Sequence, residues 1–339
     1  MKIAYHLATP PAPVAELDAA VQEIERLRSE FGGSLDHLYP ASSYRWWIPR
    51  RWPRAAVRQA LREADRTADL HHIVTDRVFP FPCLRSLRKP VVCSLLTPPD
   101  RRPRSRDTLD RLDRIVVSSS SDIDRLGEAG RTRAQVIPPA IDLQSFVEVP
   151  APPLQPFTLM MASAPWTRRQ FATKGVDTLL AALRARPSWR LILLWRSVLE
   201  REVEERIRAA DLEGRVELVR DRVDVAQMLK RVHVVVLAPT SPRVVRSYPH
   251  SLLESLAAGR PIVTSRHLAI SELVRDHDGG RVCESSSEAL VDALDSIEGD
   301  YGLHRKAARR LDLGAFAPQA FLRSWRRLYE AVLTREPSG

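Results

Sequence analysis

The chain has 339 residues, enough for two domains of ordinary size. A hydrophobic share of 44% beside 28% charged residues is that of a folded, soluble protein, and no apolar run approaches the ~20 residues needed to cross a bilayer. The formal charge of +10 favours anionic partners, but 47 Arg against 5 Lys, with no Asn at all, also follows from a GC-rich genome, so the arginine count alone argues no function.

Met1-Lys2-Ile3-Ala4-Tyr5 opens a strand over residues 3–7 and lacks the cleavage site of a secretory leader. Leu17, Val21, Ile24 and Leu27 recur near helical spacing and predict a helix over 15–31. Apolar runs at 70–74, 91–96, 115–118 and 136–137 predict further strands. Their alternation with polar helical stretches predicts a parallel sheet covered by helices. Pro150, Pro152, Pro153 and Pro156 then make a stiff linker over 150–156, which separates a first domain over 1–149 from a second over 157–317. The second half restarts with a strand over 157–162. Helix 175–185, strand 190–195, helix 199–209, strand 216–219, helix 225–231 and strand 232–237 follow. The last helix, 318–333, is amphipathic and Arg-rich and opens a terminal segment over 318–339. Two doubly wound domains of this kind would form a cleft, with ligands at the carboxyl ends of the strands.

The richest stretch follows strand 232–237. A proline-broken loop enters a helix near Pro249 that ends at Gly259, and Pro261-Ile262-Val263 starts the next apolar run. The first turn of such a helix has free N–H groups and the positive end of the helix dipole, which suits an anion. Glu254 lies just over a turn further on and can reach a ligand whose phosphates sit at the helix start, as a nucleotide sugar would. Cys83, Cys93 and Cys283 fit neither a zinc pattern nor a disulfide framework, which points to a reducing cytoplasm.

Tyr248-Pro249-His250-Ser251-Leu252-Leu253-Glu254, followed by Ala257-Ala258-Gly259-Arg260-Pro261, resembles the donor-site signature of retaining glycosyltransferases of family 4, which have the GT-B fold. Thr173-Lys174-Gly175-Val176-Asp177 resembles the start of their donor domain. Leu112 to Ser119 and Val136-Ile137-Pro138-Pro139-Ala140-Ile141-Asp142 resemble the end of their first domain. The resemblance implies two Rossmann-like α/β domains, with the last helix crossing back to the first. It implies that the matching Glu254 binds ribose hydroxyls, a role suited to a carboxylate that accepts from both. It implies that Lys174 neutralises donor phosphate. The backbone N–H groups of His250, Ser251 and Leu252, after Pro249, would hold the diphosphate, with the Ser251 hydroxyl assisting. The arginine that accompanies the lysine in the family is replaced by Ser163-Ala164-Pro165. Arg168 and Arg169, in a loop over 165–173, are the candidates to substitute for it.

The signature normally carries a second glutamate, eight residues before Glu254, that contacts the donor sugar. Arg246 stands there. One reading is that Arg246, beside Tyr248, pairs with a carboxylate on the sugar; the others are a realigned loop that also holds Arg243, or loss of activity. The histidine that the family often places after the strand that here spans 91–96 is replaced by Leu96, and the glycine-rich loop after the first strand by Thr9-Pro10-Pro11-Ala12-Pro13. His6, His71 and His72 read as structural. Residues 44–54 combine three Trp with four Arg. That mixture suits peripheral contact with a membrane, a stacked sugar acceptor, or Trp packed in a core with Arg outside.

The expected activity is transfer of a sugar from a nucleoside diphosphate sugar to an unidentified sugar, lipid-linked or small-molecule acceptor, with retention implied by the resemblance. The scheme calls for no cofactor and no metal, since Lys174, nearby arginines and the helix terminus supply positive charge. The alternatives are a sugar-nucleotide epimerase or hydrolase of similar fold, and a catalytically silent nucleotide-binding protein. No nucleic-acid-binding motif accompanies the charge.

Overall fold

The computed structural model describes residues 1–9, 18–38, 52–76, 84, 87–99, 109–195, 198–275 and 277–334. The chain forms two compact units, Met1–Ala140 with Pro318–Gly339, and Ile141–Ala317.

The first unit is built on six strands, β1 (Ile3–Leu7), β2 (Ser34–His37), β3 (Leu70–Thr75), β4 (Val91–Leu95), β5 (Arg114–Val117) and β6 (Ala134–Val136). They form one parallel sheet in the order β2-β1-β3-β4-β5-β6. β1 and β3 are buried along their whole length, as strands covered on both faces are, although His6, His71 and His72 interrupt their apolar pattern. β2 is an edge strand of Ser-Leu-Asp-His, partly exposed, and so leaves no apolar run. Helix Ala19–Phe31 starts where the Asp18 carboxylate accepts from Ala20 N–H at 2.8 Å, and it buries Ile24 and Leu27. These pack in one core with Phe321, Trp325, Leu328, Tyr329 and Val332 of helix Pro318–Leu333. A second core, with Leu61, Leu84, Leu87, Leu109, Leu112 and Leu126, completes the unit. Helix Trp52–Thr67 supplies Leu61; the sequence reading assigned no element there.

The second unit is also one parallel six-stranded sheet: β7 (Thr158–Met161), β8 (Arg190–Leu194), β9 (Val216–Val219), β10 (Val234–Leu237), β11 (Ile262–Ser265) and β12 (Gly280–Cys283). The order is β12-β11-β10-β7-β8-β9. The chain winds outward from β7 through β8 to β9, returns to the other side of β7 with β10, and winds outward again. The topological switch therefore lies between β7 and β10, the place where open parallel sheets bind ligands beyond their carboxyl ends. Ile141, Phe146 and Val149 pack into this unit's core, so the partition between units lies ahead of the proline-rich stretch. Among the described residues no helix is long and apolar enough to cross a membrane.

Candidate functional site

Two segments leave the sheet at the switch point. The first follows β7 and runs from Ala162 to Lys174. The sequence predicts a loop over residues 165–173, but Arg169–Thr173 form a short helix. It is pinned by Phe171, which is fully buried against Trp195 and carries the Arg206 guanidinium 3.9 Å above its ring, and by Gln170 Oε1, which accepts from Trp166 N–H at 2.6 Å. Five residues are too few for a hydrophobic period to register. Lys174 closes this helix, and Gly175 reverses the chain into helix Val176–Ala185 with φ of +86°. Lys174 is only 6% exposed, and its Nζ donates to Ala164 O at 2.8 Å. The aliphatic stem is thus packed and the ammonium is set beside the chain that leaves β7.

The second segment follows β10. It passes Pro239, makes a 3-10 turn at Pro242–Val244 whose start is capped by the Ser241 hydroxyl, and enters helix His250–Ala257 after Pro249. Sequence reading missed what holds it. Ser265 Oγ and Ser285 Oγ both donate to Pro239 O, at 2.7 and 3.0 Å, and Thr264 Oγ1 donates to Leu237 O at 3.0 Å. A serine just past an apolar strand is the only trace such an anchor leaves in a sequence. Ser247 is buried, and its carbonyl accepts from Ile270 N–H at 3.1 Å. Tyr248 sets its ring edge-on to Phe316, centroids 5.0 Å apart.

The two segments are joined directly. Thr240 N–H donates to Thr173 O at 3.0 Å, and Gly175 approaches Ala238 so closely that a Cβ there would lie 2.8 Å from Ala238 O. Lys174 is therefore fixed against the chain that leads to the 250–257 helix. In that helix Leu252 and Leu253 are fully buried and fix its orientation, while His250, Ser251 and Glu254 are half-exposed. Leu252 N–H donates to Pro249 O at 3.1 Å and is used within the helix, so the first-turn donors ahead of it belong to His250 and Ser251. Arg246 is half-buried ahead of this helix. Of the two candidate substitutes for the family's arginine, Arg168 is 80% exposed and paired with Glu202 at 3.0 Å, an acceptor on helix Glu200–Ala209, and Arg169 is exposed on the short helix. The guanidinium of Arg168 holds the Glu202 carboxyl below its usual range, after the backbone bond at that helix start.

His6, His71 and His72 are buried in the first unit. His6 and His71 face each other with ring nitrogens 2.9 Å apart, and His71 reaches Asp65 at 3.1 Å. His72 lies between Tyr329 and Ser94, at 2.8 and 2.7 Å. Burial holds His6 and His72 neutral, pushing each down to about 3. Leu96, at the position of the family histidine, is half-buried, and its N–H donates to Thr75 O. Of the Trp- and Arg-rich segment, residues 44–51 lie outside the described residues, as do the prolines 10–13 and the arginines 101–106.

Comparison with known proteins agrees with this geometry. Residues 166–312 match the family described as glycosyl transferases group 1. A search of curated proteins finds no match. Among solved structures, a sucrose-phosphate synthase from Thermosynechococcus elongatus superposes with a TM-score of 0.77 at 15% identity, covering 98% of this chain and 99% of its own. HepE of Anabaena, in complex with UDP and glucose, gives 0.70 at 18% identity over 98% of this chain and all of its own. WaaG, a glycosyltransferase involved in lipopolysaccharide biosynthesis, gives 0.67 at 15% identity with the same coverage. The two-unit α/β fold is that of these GT-B proteins.

Proposed function

We propose, from the match of residues 166–312 to the group 1 glycosyl transferases, that the protein transfers a sugar from a nucleoside diphosphate sugar to an acceptor, with retention at the anomeric carbon. The observation that carries the reading is the junction at the β7/β10 switch point, where the Thr173–Thr240 hydrogen bond and the Gly175–Ala238 approach tie Lys174 to the segment that enters the 250–257 helix.

Each part has a task. The diphosphate is held by the N–H groups of His250 and Ser251 and the positive end of the helix, with the Ser251 hydroxyl beside them. Lys174 supplies a full positive charge where the sugar–phosphate bond breaks and the departing diphosphate gains charge. An ammonium has three donors, so the bond to Ala164 O is compatible with a phosphate contact. Glu254 accepts from the vicinal hydroxyls of the ribose. Tyr248 and Arg246 precede the diphosphate site in the chain and are the candidates to face the sugar. Rate acceleration then comes from positioning and from stabilising the leaving group, without a protein nucleophile. HepE was solved with UDP and glucose, which makes a uridine nucleotide the first donor to test.

Arg246, where the family has a glutamate, favours a second reading, a domain that binds the nucleotide and turns over no ordinary hexose donor. One experiment separates the two. Binding and slow hydrolysis of UDP-, GDP-, ADP- and TDP-sugars, neutral and uronate, are measured with wild type, Glu254→Gln and Arg246→Ala. Turnover of at least one donor that Glu254→Gln weakens about tenfold supports the enzyme. Turnover confined to uronate donors and lost in Arg246→Ala assigns Arg246 to the sugar carboxylate. Binding without turnover supports the second reading, and binding of none sinks both.

A further inference from the structure

At the far end of the 250–257 helix from the proposed donor site, helix Tyr301–Arg310 carries Arg305, Lys306, Arg309 and Arg310 and no acidic residue. Tyr301, Arg305 and Arg309 are spaced four apart and share one face. That face meets Arg260, which is fully buried. Arg260 has acceptors of its own. Its Nε donates to Leu229 O at 3.0 Å, Nη1 to Ala258 O at 3.3 Å, and Nη2 to Pro150 O. Leu229 and Ala258 end the helices Val225–Leu229 and His250–Ala257, whose last carbonyls carry partial negative charge.

The two arginines of that face are differently placed. Arg309 lies across Gly259, which has φ of +65°; a Cβ on that glycine would fall 2.3 Å from Arg309 Cγ. Arg309 Nη2 donates to Val149 O at 2.9 Å. Arg305 has a buried Nε with no acceptor, and the buried Tyr301 hydroxyl lies beside Arg260. None of the three guanidinium groups has a carboxylate within ion-pair distance among the described residues. Elsewhere in the same unit, Arg186, Arg206, Arg231, Arg266 and Arg281 each pair with an Asp or Glu. Burial pushes Arg260 down to about 10. Arg305 and Arg309 add to the fall by like-charge repulsion, against an opposing effect of Tyr301. Three cations, a buried unsatisfied N–H and a buried hydroxyl converge, and what they lack is an acceptor carrying more than one negative charge.

We propose that Arg305 and Arg309, backed by Arg260 and Tyr301, form a binding site for a phosphate group, separate from the donor site. The 250–257 helix alone puts about 12 Å between its N-terminal donors and Arg260. A phosphate suits the cluster, because Arg305 and Arg309 retain guanidinium N–H donors for its oxygens and the charge of Arg260 lies behind them. Free phosphate and the headgroup of an anionic lipid offer the same chemistry.

The test uses the full chain in a phosphate-free buffer, with inorganic phosphate as the probe in calorimetry and thermal melting. The paired variant Arg305→Gln/Arg309→Gln should weaken one phosphate-binding event about tenfold or more, while Lys306→Gln/Arg310→Gln, which removes the same charge from the neighbouring face, should change it less than about twofold. Lys174→Met, in the donor site, should leave this event intact. Arg305→Gln alone, which deletes the buried Nε, should melt no lower than wild type without phosphate and should lose phosphate-induced stabilisation. Vesicles of phosphatidylglycerol, compared with phosphatidylcholine, identify the source. Sedimentation with the anionic vesicles that depends on Arg305 and Arg309 assigns a headgroup, and binding of inorganic phosphate alone assigns a soluble phosphate. The proposal is overturned by equal losses in the two paired variants, by phosphate binding that only Lys174→Met removes, or by no binding to either probe.

Discussion

Gly175 joins the Lys174 segment to the 176–185 helix, and replacing it with alanine tests the tightness of the switch-point junction. A side chain at φ of +86° costs about 1–2 kcal/mol. The new methyl would also stand 2.8 Å from Ala238 O and 3.4 Å from Ala238 C, both backbone atoms at the end of β10, so the chain itself must move. Overpacking of that kind costs about 1–3 kcal/mol, and the lower entropy of the unfolded chain returns about 0.4–1 kcal/mol. The net expectation for Gly175→Ala is a loss of about 1–4.6 kcal/mol. Gly214→Ala is the control: nothing lies within 4 Å of its added Cβ, and its stability should stay within about 0.5 kcal/mol of wild type. Urea denaturation gives the magnitudes, and hydrogen exchange localises them, with faster exchange expected around Lys174 and in β10 of the glycine variant. A Gly175→Ala protein within about 0.5 kcal/mol of wild type would refute the close approach.

Other expectations follow from the buried polar groups. His6 and His72 are held near 3, below the ordinary histidine value of 6.5, so the unfolded chain binds more protons than the fold does between those limits. Stability should therefore be full above about pH 6.5 and fall as the pH drops, by up to about 2 kcal/mol per histidine at pH 5; a urea midpoint that is flat between pH 7 and 5 would contradict it. Arg260→Leu leaves the carbonyls of Ala258 and Pro150 without their side-chain donor, removes one of the two donors to Leu229 O, and should cost about 3 kcal/mol by denaturation. Arg260→Lys should recover little of this, because an ammonium cannot span the same fork of acceptors; full recovery would mean that the charge alone matters.

The sequence was most legible where local rules decide. The buried strands β1, β3, β4, β7, β8 and β10 stand out as apolar runs, and Pro249 with Gly259 brackets the helix that carries Glu254. The edge strand β2 left no such run, and the five-residue helix before Lys174 is shorter than two turns. The strand order was beyond local reading, because the return from β9 to β10 on the far side of β7 is a long-range pairing. The same holds inside the site. Glu254, Lys174 and Ser251 announce themselves by motif, whereas their supports are backbone atoms: Ala164 O holds Lys174, Thr173 O takes Thr240 N–H, and Pro239 O is gripped by Ser265 and Ser285. Contacts to a carbonyl place almost no demand on residue type. Arg168 shows the converse, a basic residue in a suitable place in the sequence whose guanidinium the fold gives to Glu202.

The central claim is that Lys174 meets the charge that develops on a departing nucleoside diphosphate, and turnover of the best nucleotide sugar by Lys174→Met beside Arg168→Gln tests it most directly. The account predicts a fall in kcat of about 10²–10³ for the lysine variant, with both proteins folded and Arg168→Gln within about twofold of wild type. A Lys174→Met enzyme that keeps its kcat would contradict it.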